Sequence, residues 1–238
     1  LFKKQFKHYY MKKNVLTLLC CLMACTLYAQ TWTGSLSTDW NTPGNWSGNA
    51  VPGNTGNVII PGALDNYPVL ASDVTINRID MQSGSSLDFN GFQLSVVTNV
   101  VGFSYFNGAT LKSSTQLITL NINNGTSGYY TSMGGSTIED DIVINLTGSD
   151  AFYEGETSGN LFQGNATFNV GGTGALWTSY SAASTYQGNV SVHRTVGGLL
   201  DLFNTGGTAS GNLTVTNPIG NGAIRIGNAS NPTLIQGT

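Results

Sequence analysis

The chain has 238 residues, of which 40% are hydrophobic, only 9% are charged and 31 are glycine. So many apolar residues exclude a disordered linker, and the abundance of Gly, Ser, Thr and Asn disfavours a helical protein. The formal net charge of −3 provides no basic surface for a nucleic acid.

The N-terminus has the features of an export leader. Residues 1–10 precede a segment, 11–29, that starts with a methionine and two lysines, continues as an apolar run and ends at Ala29. This order predicts a signal peptide cleaved after Ala29, with residues 1–10 as upstream sequence, and the apolar run is too short to span a membrane. A second interpretation is a lipoprotein processing site that makes Cys25 the lipidated first residue. We therefore expect a secreted or cell-surface protein.

Cleavage would change the composition of the chain. All three cysteines lie in the leader, so residues 30–238 have no disulfide and no thiolate ligand. Five of the nine basic residues lie there too, which leaves four basic against twelve acidic residues and a net charge of −8. We expect no nucleic-acid partner, no metal, no cofactor and no membrane span in the mature chain.

A repeat with a period of about 24 residues dominates the sequence that follows. Gly-Asn pairs begin at Gly164, Gly188 and Gly211, in nearly equal steps. Two sets of apolar residues recur with the same period, and we call each set a column. The first column is Leu94, Ile118, Ile142, Ala166, Val190 and Leu213. The second is Val96, Leu120, Ile144, Phe168, Val192 and Val215.

This repeat predicts the architecture. Apolar residues at alternate positions are typical of strands with one buried face, and the period is too short for a four-stranded propeller blade. We predict an all-β fold, a right-handed parallel β-helix (β-solenoid) with coils of about 24 residues. The repeats would occupy residues 58–238, after an N-terminal Trp-rich capping segment at 30–57.

A polar column runs beside the apolar ones. Asn121, Asn145 and Asn169 recur with the same period, and stacked amides can hydrogen-bond along a solenoid. His193 comes next, so we interpret it as a substitute in this column rather than as a catalytic base. Arg194 interrupts an adjacent apolar column, for which we predict a bulge or an early strand end rather than an anion site.

Three of the four tryptophans, Trp32, Trp40 and Trp46, lie close together in the sequence. The first coil of a solenoid has no neighbour below it, so its interior needs a cover. We interpret the three side chains as this cap; the alternative is a sugar-stacking surface, which would require them to be exposed.

The same stretch carries a family resemblance. "TWTGSLSTDWNTPGNWSGNAVPGNTGNVIIP", residues 31–61, is similar to the opening of large secreted adhesin-like repeat proteins of Gram-negative bacteria, with W-x-G, D-W, N-W and V-P before a first strand. Those proteins resemble autotransporter and filamentous-haemagglutinin passengers, which implies a right-handed parallel β-helix. Type IX-secreted relatives carry a C-terminal sorting domain or further repeats. Because the sequence stops within a repeat, we expect a fragment.

Four aromatic residues, Tyr105, Tyr129, Tyr153 and Trp177, also recur with this period. If they face outward, they form a strip able to stack on sugar rings or on a partner surface. If they face inward, they fill the interior as a stack, the arrangement that we favour in a narrow coil. The partners we expect are accordingly a carbohydrate or the surface of a host or neighbouring cell.

The sequence offers little for catalysis. Glu139, Asp140 and Asp141 are the best carboxylate cluster, but adjacent strand residues point to opposite faces, and we place the pair in a solvated turn. We therefore expect a non-enzymatic, adhesin-like structural or binding stalk. The alternatives are a polysaccharide-active β-helix enzyme, a lyase or glycoside hydrolase, and a carbohydrate-binding module.

Overall fold

The computed structural model describes residues 29–98, 102–125, 128, 130–218, 222–227 and 233–237. The predicted leader lies outside these residues, apart from Ala29. Within them the chain forms 23 strands and one short 3₁₀ helix, Pro43–Asn45. No helix in this part of the chain is long and apolar enough to cross a membrane.

The strands form three parallel sheets. The first sheet has nine strands: β1 (Gln30–Thr31), β2 (Asn57–Ile60), β4 (Arg78–Met81), β7 (Ser104–Asn107), β10 (Thr131–Gly134), β13 (Phe152–Glu154), β16 (Leu176–Trp177), β19 (Leu200–Leu202) and β22 (Ile224–Ile226). The second has seven: β3 (Val74–Ile76), β6 (Gln93–Thr98), β9 (Leu117–Asn124), β12 (Asp141–Leu146), β15 (Ala166–Val170), β18 (Val190–Arg194) and β21 (Leu213–Thr216). The third also has seven: β5 (Ser86–Asp88), β8 (Thr110–Lys112), β11 (Thr137–Ile138), β14 (Leu161–Phe162), β17 (Ser184–Tyr186), β20 (Gly207–Ala209) and β23 (Thr233–Ile235).

Successive strands of one coil belong to different sheets, and each strand pairs in parallel with its equivalent in the next coil. The predicted β-solenoid is therefore confirmed. Ile142 pairs with Ile118 on one side and with Ala166 on the other, as the predicted apolar column requires. Neighbouring coils are about 4.8 Å apart, so equivalent side chains lie directly over one another.

The coils are not all equally long. Leu94 pairs with Leu120 and Val96 with Ile122, two positions later than a constant period would place their partners, so the sequence placed both residues in the wrong columns. In the first sheet Tyr105 and Tyr153 both pair with Ser132, which lies beyond the midpoint between them. A long coil is thus followed by a short one. Because the two together have the length of two regular coils, a search with a constant period does not detect that either is irregular.

The core runs along the inside of the coils. In β12, Ile142, Ile144 and Leu146 are buried, whereas Val143 and Asn145 between them are only partly buried. Each fully buried Ile, Leu, Val or Phe contributes about 1.5–3 kcal/mol relative to an exposed side chain. The buried apolar residues form one contiguous cluster from the tryptophans to Ala209.

The predicted amide column is present. Asn145 Nδ2 donates to Asn121 Oδ1 at 2.7 Å, and Asn169 Nδ2 donates to Asn145 Oδ1 at 2.8 Å. His193 pairs with Asn169 in register, which places it in this column as predicted. The column lies on the partly buried outer side of the second sheet.

The prediction for Arg194 was wrong. β18 has no bulge and reaches Arg194, its last residue, in register with Val170, the last residue of β15, so the strand does not end early. The side chain of Arg194 is fully buried. Its guanidinium donates to Asn217 Oδ1 and to the carbonyl oxygens of Gly198, Gly222 and Ala223 at 2.5–3.2 Å. These oxygens replace water as its hydrogen-bond partners, so a charged side chain occupies an apolar column.

Candidate functional site

The three N-terminal tryptophans are buried and form the cap. Trp32 and Trp40 are fully buried, and Trp46 is 2% exposed. The Trp46 ring lies edge-to-face against both others, with centroids 5.0 and 4.7 Å away. Trp32 Nε1 donates to the Asn66 carbonyl at 2.8 Å. Buried in this way, the rings cover the first coil and present no sugar-stacking surface.

The acidic cluster does not converge. Asp140 Oδ2 accepts the Ser113 amide of the preceding coil at 2.7 Å. Asp141 Oδ1 accepts the Asn165 amide of the following coil, also at 2.7 Å. The two carboxylates therefore hold turns of different coils, and no group of three or more His, Cys, Asp or Glu in the described part of the chain is placed to hold a metal.

An aromatic strip lies on the outer face of the first sheet. Tyr105, Tyr153 and Trp177 are each partly buried, and the residues on both sides of each are buried, so these three side chains face outward. Tyr153 pairs directly with Trp177 in register, with ring centroids 6.4 Å apart. The inward-facing stack favoured from the sequence is not the arrangement in the structure.

The second predicted member of the column, Tyr129, lies outside the described residues. In register, the residue between Tyr105 and Tyr153 is Ser132, so the predicted column was wrong at this rung because of the unequal coils. The neighbouring Tyr130 supplies a ring instead. Its centroid is 6.4 Å from that of Tyr105 and 5.1 Å from that of Tyr153, and its plane is nearly perpendicular to both.

Two more rings widen the strip. Phe103 lies 4.4 Å from Tyr130, and Tyr180 lies 4.5 Å from Tyr153 and 5.3 Å from Trp177, centroid to centroid. We define the aromatic strip as these six partly buried residues: Phe103, Tyr105, Tyr130, Tyr153, Trp177 and Tyr180. Phe103, Tyr130 and Tyr180 were not predicted because they lie outside the strands and do not follow the 24-residue period. The only signal for them in the sequence is the density of aromatic residues near Tyr105, Tyr153 and Trp177.

The strip differs from the aromatic packing inside the coils. In the interior, Phe162 and Tyr186 form a closed stack, 4.5 Å apart and only 8° from parallel. In the strip, the interplanar angles of neighbouring rings range from 29° to 87°. Rings tilted in this way do not cover one another's faces completely, so apolar ring surface stays in contact with solvent.

Carboxylates lie beside the middle of the strip. Burial raises the pKa of Tyr130 well above its usual value, and hydrogen bonds and charge interactions with Tyr105 and Glu156 raise it further. Burial also raises the pKa of Tyr153, with smaller contributions from Tyr180, Asp150 and Glu156. Both phenols therefore stay protonated at neutral pH and keep their hydroxyl groups as hydrogen-bond donors.

A buried carboxylate lies on the inner side of the same strand. Glu154 is fully buried and accepts hydrogen bonds from Asn160 Nδ2 at 2.6 Å, Ser179 N at 2.7 Å, Tyr186 OH at 2.7 Å and Ser184 Oγ. Burial raises the pKa of Glu154, and these four hydrogen bonds oppose the rise. The group ties β13 to β17 and to the turns between them, and it has no contact with solvent.

The fold and this surface together define a β-solenoid with an aromatic strip on its outer face. A family model described as a domain of unknown function (DUF8693) matches residues 31–138. The matched residues include the tryptophan cap and extend to the end of β11, so they contain Tyr105 and Tyr130 but neither Tyr153 nor Trp177. No curated protein and no solved structure matches the chain.

Proposed function

We propose that this chain is a non-enzymatic, adhesin-like stalk of an exported protein, and that its aromatic strip binds carbohydrate. The observation that carries this proposal is the line of six partly buried rings on the outer face of the first sheet. The core is already filled by a separate set of buried side chains, so these rings are not needed to close the interior.

The chemistry of the strip suits a sugar. A pyranose ring has an apolar C–H face, which can stack on a tyrosine or tryptophan ring, and an edge of hydroxyl groups. Tyr105, Tyr130, Tyr153 and Tyr180 carry phenol hydroxyls at the edges of their rings. Because rungs recur about every 4.8 Å along the solenoid, an extended glycan could contact several rings at once, and weak contacts would add up.

Export is supported by the sequence alone. Residues 11–29 have the order of a signal peptide, and residues 30–238 have no cysteine and few charges. A solenoid is also well suited to a stalk, since each coil contacts only its neighbours and added coils extend the binding surface. Surface proteolysis of intact cells, followed by immunoblotting, tests a cell-surface location, which a protein protected from the protease would contradict.

The opposing hypothesis is a polysaccharide-active enzyme. Such a site needs two carboxylates, or a carboxylate and a base, that converge on the substrate. Asp140 and Asp141 engage different coils, which argues against that pair. Release of reducing ends or unsaturated products from plant or algal polysaccharides by the purified chain would overturn the non-enzymatic part of the proposal.

Binding to a glycan array and pull-down with insoluble polysaccharides test the strip directly. We expect the variant Tyr153→Ala/Trp177→Ala to bind at least about fivefold more weakly, because each of the two lost aromatic contacts contributes about 0.5–1.5 kcal/mol. Leu117→Ala is the matched control, since Leu117 is 46% exposed but belongs to β9 of the second sheet. Circular dichroism verifies the fold of each variant. Unchanged binding by a folded double variant would contradict the proposal.

A further inference from the structure

The connection between β16 and β17 carries one ring of the aromatic strip on an unusual backbone. Ser179 has a φ of +48°, in the left-handed region that residues with a Cβ seldom adopt, and it is fully buried. Tyr180 follows it, and its partly buried ring lies 4.5 Å from Tyr153 and 5.3 Å from Trp177. A left-handed residue of this kind persists only where its surroundings fix it, so the groups around Ser179 decide where the Tyr180 ring stands.

The preceding coil holds this connection through two consecutive residues, Glu154 and Gly155. Glu154 O accepts the Tyr180 amide at 2.7 Å, and Gly155 O accepts the Ala182 amide at 2.9 Å. The Ser179 amide instead donates to a side chain, Glu154 Oε2, at 2.7 Å. The two segments are in direct contact, because a Cβ on Gly155 would be 2.6 Å from the Ala182 carbonyl oxygen. Glu154 therefore fixes the left-handed residue through its carboxylate and the next residue through its backbone.

The carboxylate of Glu154 is itself held by donors inside the coils. Its Oε1 accepts Asn160 Nδ2 at 2.6 Å and Ser184 Oγ. Its Oε2 accepts Tyr186 OH at 2.7 Å beside the Ser179 amide. A carboxylate has about four acceptor sites, and these four uncharged donors use all of them. They fix its orientation, so Oε2 stays directed at Ser179.

We infer that Glu154 is a positioning residue of the aromatic strip: its buried carboxylate fixes Ser179 and thereby the Tyr180 ring. The ring then stays packed against Tyr153 and Trp177. Glu154 is fully buried and would not touch a ligand, so it acts through Tyr180. A ring that is fixed before binding loses less side-chain freedom when a sugar stacks on it. This consequence for affinity rests on the proposed carbohydrate binding, whereas the position of the ring does not.

Quenching of tryptophan fluorescence by iodide reports the position of Tyr180 in the folded protein. Trp177 is partly buried, whereas the three cap tryptophans are at most 2% exposed, so iodide reaches mainly Trp177. Tyr180→Ala removes the neighbouring ring and should increase the quenching. Glu154→Met keeps the length of the side chain but removes every acceptor, and it should increase the quenching equally. The double variant should show no further increase, because both changes remove the same contact.

Glu154→Gln should keep the quenching of the parent. Its remaining carbonyl oxygen is expected to face Ser179, because Asn160 Nδ2 has a second acceptor, the Met133 carbonyl at 3.0 Å. Tyr186→Phe is the matched control: it removes another hydrogen bond to Glu154 and should lower the free energy of unfolding without changing the quenching. Unchanged quenching in a folded Glu154→Met would overturn the inference, as would an equal increase in Tyr186→Phe.

Hydrogen exchange of the parent tests the inference even if Glu154→Met does not fold. The Ser179 amide should exchange as slowly as the Thr185 amide of β17, which donates to the Asn160 carbonyl at 2.9 Å. Exchange of the Ser179 amide at the rate of an unstructured peptide would show that the carboxylate does not hold it, and would overturn the inference.

Pull-down with cellulose and with chitin, two extended β-linked polymers, measures the consequence for binding. We expect Glu154→Met and Tyr180→Ala to bind about threefold more weakly than the parent, and Glu154→Gln and Tyr186→Phe to bind like the parent. Unchanged binding by a folded Glu154→Met would overturn the role of Glu154 in the strip. If the parent binds neither polymer, the result counts against the proposed carbohydrate binding alone, because the quenching still decides whether Glu154 positions Tyr180.

Discussion

At the scale of single residues, Glu154 shows how a polar group can occupy an inward position. Its neighbour two residues back, Phe152, is buried on the same face of β13, so the alternation of the strand places both side chains inside. Four donors surround the carboxylate, two on each oxygen. A buried carboxylate is tolerated when its oxygens are satisfied in this way, yet desolvation still favours the protonated form.

We therefore expect the stability of the protein to depend on pH through Glu154. Burial raises the pKa of Glu154 in the folded chain above its value in the unfolded chain. The folded state then binds the proton more tightly, so the resulting stabilisation is complete below the unfolded pKa, near about 4.3, and is lost as the pH rises through the folded pKa. Urea unfolding across this range should show a falling free energy of unfolding.

The variant Glu154→Gln should flatten this dependence because it removes the titrating group while keeping the shape of the side chain. Glu139→Gln is the control, since Glu139 is exposed and its replacement should leave the profile of the parent unchanged. If Glu154→Gln retained the full decline in stability over the same pH range, another group would be its source.

At the scale of elements, the tryptophan cap and the coils at the opposite end of the sheets differ. The cap buries three large rings over the first coil, whereas Ile224, Ile226 and Leu234 in β22 and β23 are 39–52% exposed. Trp46 holds the cap together, because its ring packs against both other tryptophans and its Nε1 donates to the Trp40 carbonyl at 2.8 Å.

We expect Trp46→Ala to lower the free energy of unfolding by about 3–5 kcal/mol, the usual cost of removing a large buried aromatic side chain. Leu36→Ala, in the same segment, should have little effect, because Leu36 is 69% exposed. Chemical denaturation followed by circular dichroism measures both. A loss below about 1 kcal/mol in Trp46→Ala would show that the cap contributes little to the stability of the coils.

The strands and most of their register could be predicted from the sequence, because each inward position must be apolar and equivalent positions lie over one another. Ile118, Ile142 and Ala166 illustrate this. The rung between Tyr105 and Tyr153 could not, since the insertion in one coil is offset by a shorter next coil. A constant 24-residue period fits the combined length of these two coils, but it does not show where the first coil ends and the second begins.

The candidate site was predictable only in part, for a related reason. The period identifies Tyr105, Tyr153 and Trp177 as members of one column. It does not show which side of the sheet the column faces, because the residues that flank each ring are a mixture of apolar and polar side chains. Tyr130, Tyr180 and Glu156 belong to connections between strands, whose path depends on tertiary contacts rather than on a local period.

At the scale of the whole molecule, the described coils share one apolar cluster and one continuous first sheet from β1 to β22. In a solenoid, stability is a sum of coil terms and terms for the contact between neighbouring coils. Where the contact terms are large, a substitution that destabilises a central coil also destabilises the coils at the ends. Phe168 lies in β15, is fully buried and is far along the chain from the cap.

We expect Phe168→Ala to lower the unfolding midpoint of the distant cap as much as that of the whole protein, at a cost of about 3–5 kcal/mol. In a Trp177→Phe background the only tryptophans are the three of the cap, so selectively excited tryptophan fluorescence reports on the cap and circular dichroism on all coils. Thr167→Ala is the control, because Thr167 is adjacent but only partly buried. Coincident shifts of both signals would mean that the coils unfold as one cooperative unit. A cap midpoint that stays unchanged while the circular dichroism midpoint falls would contradict this coupling, because the cap would then be unfolding independently of the central coils.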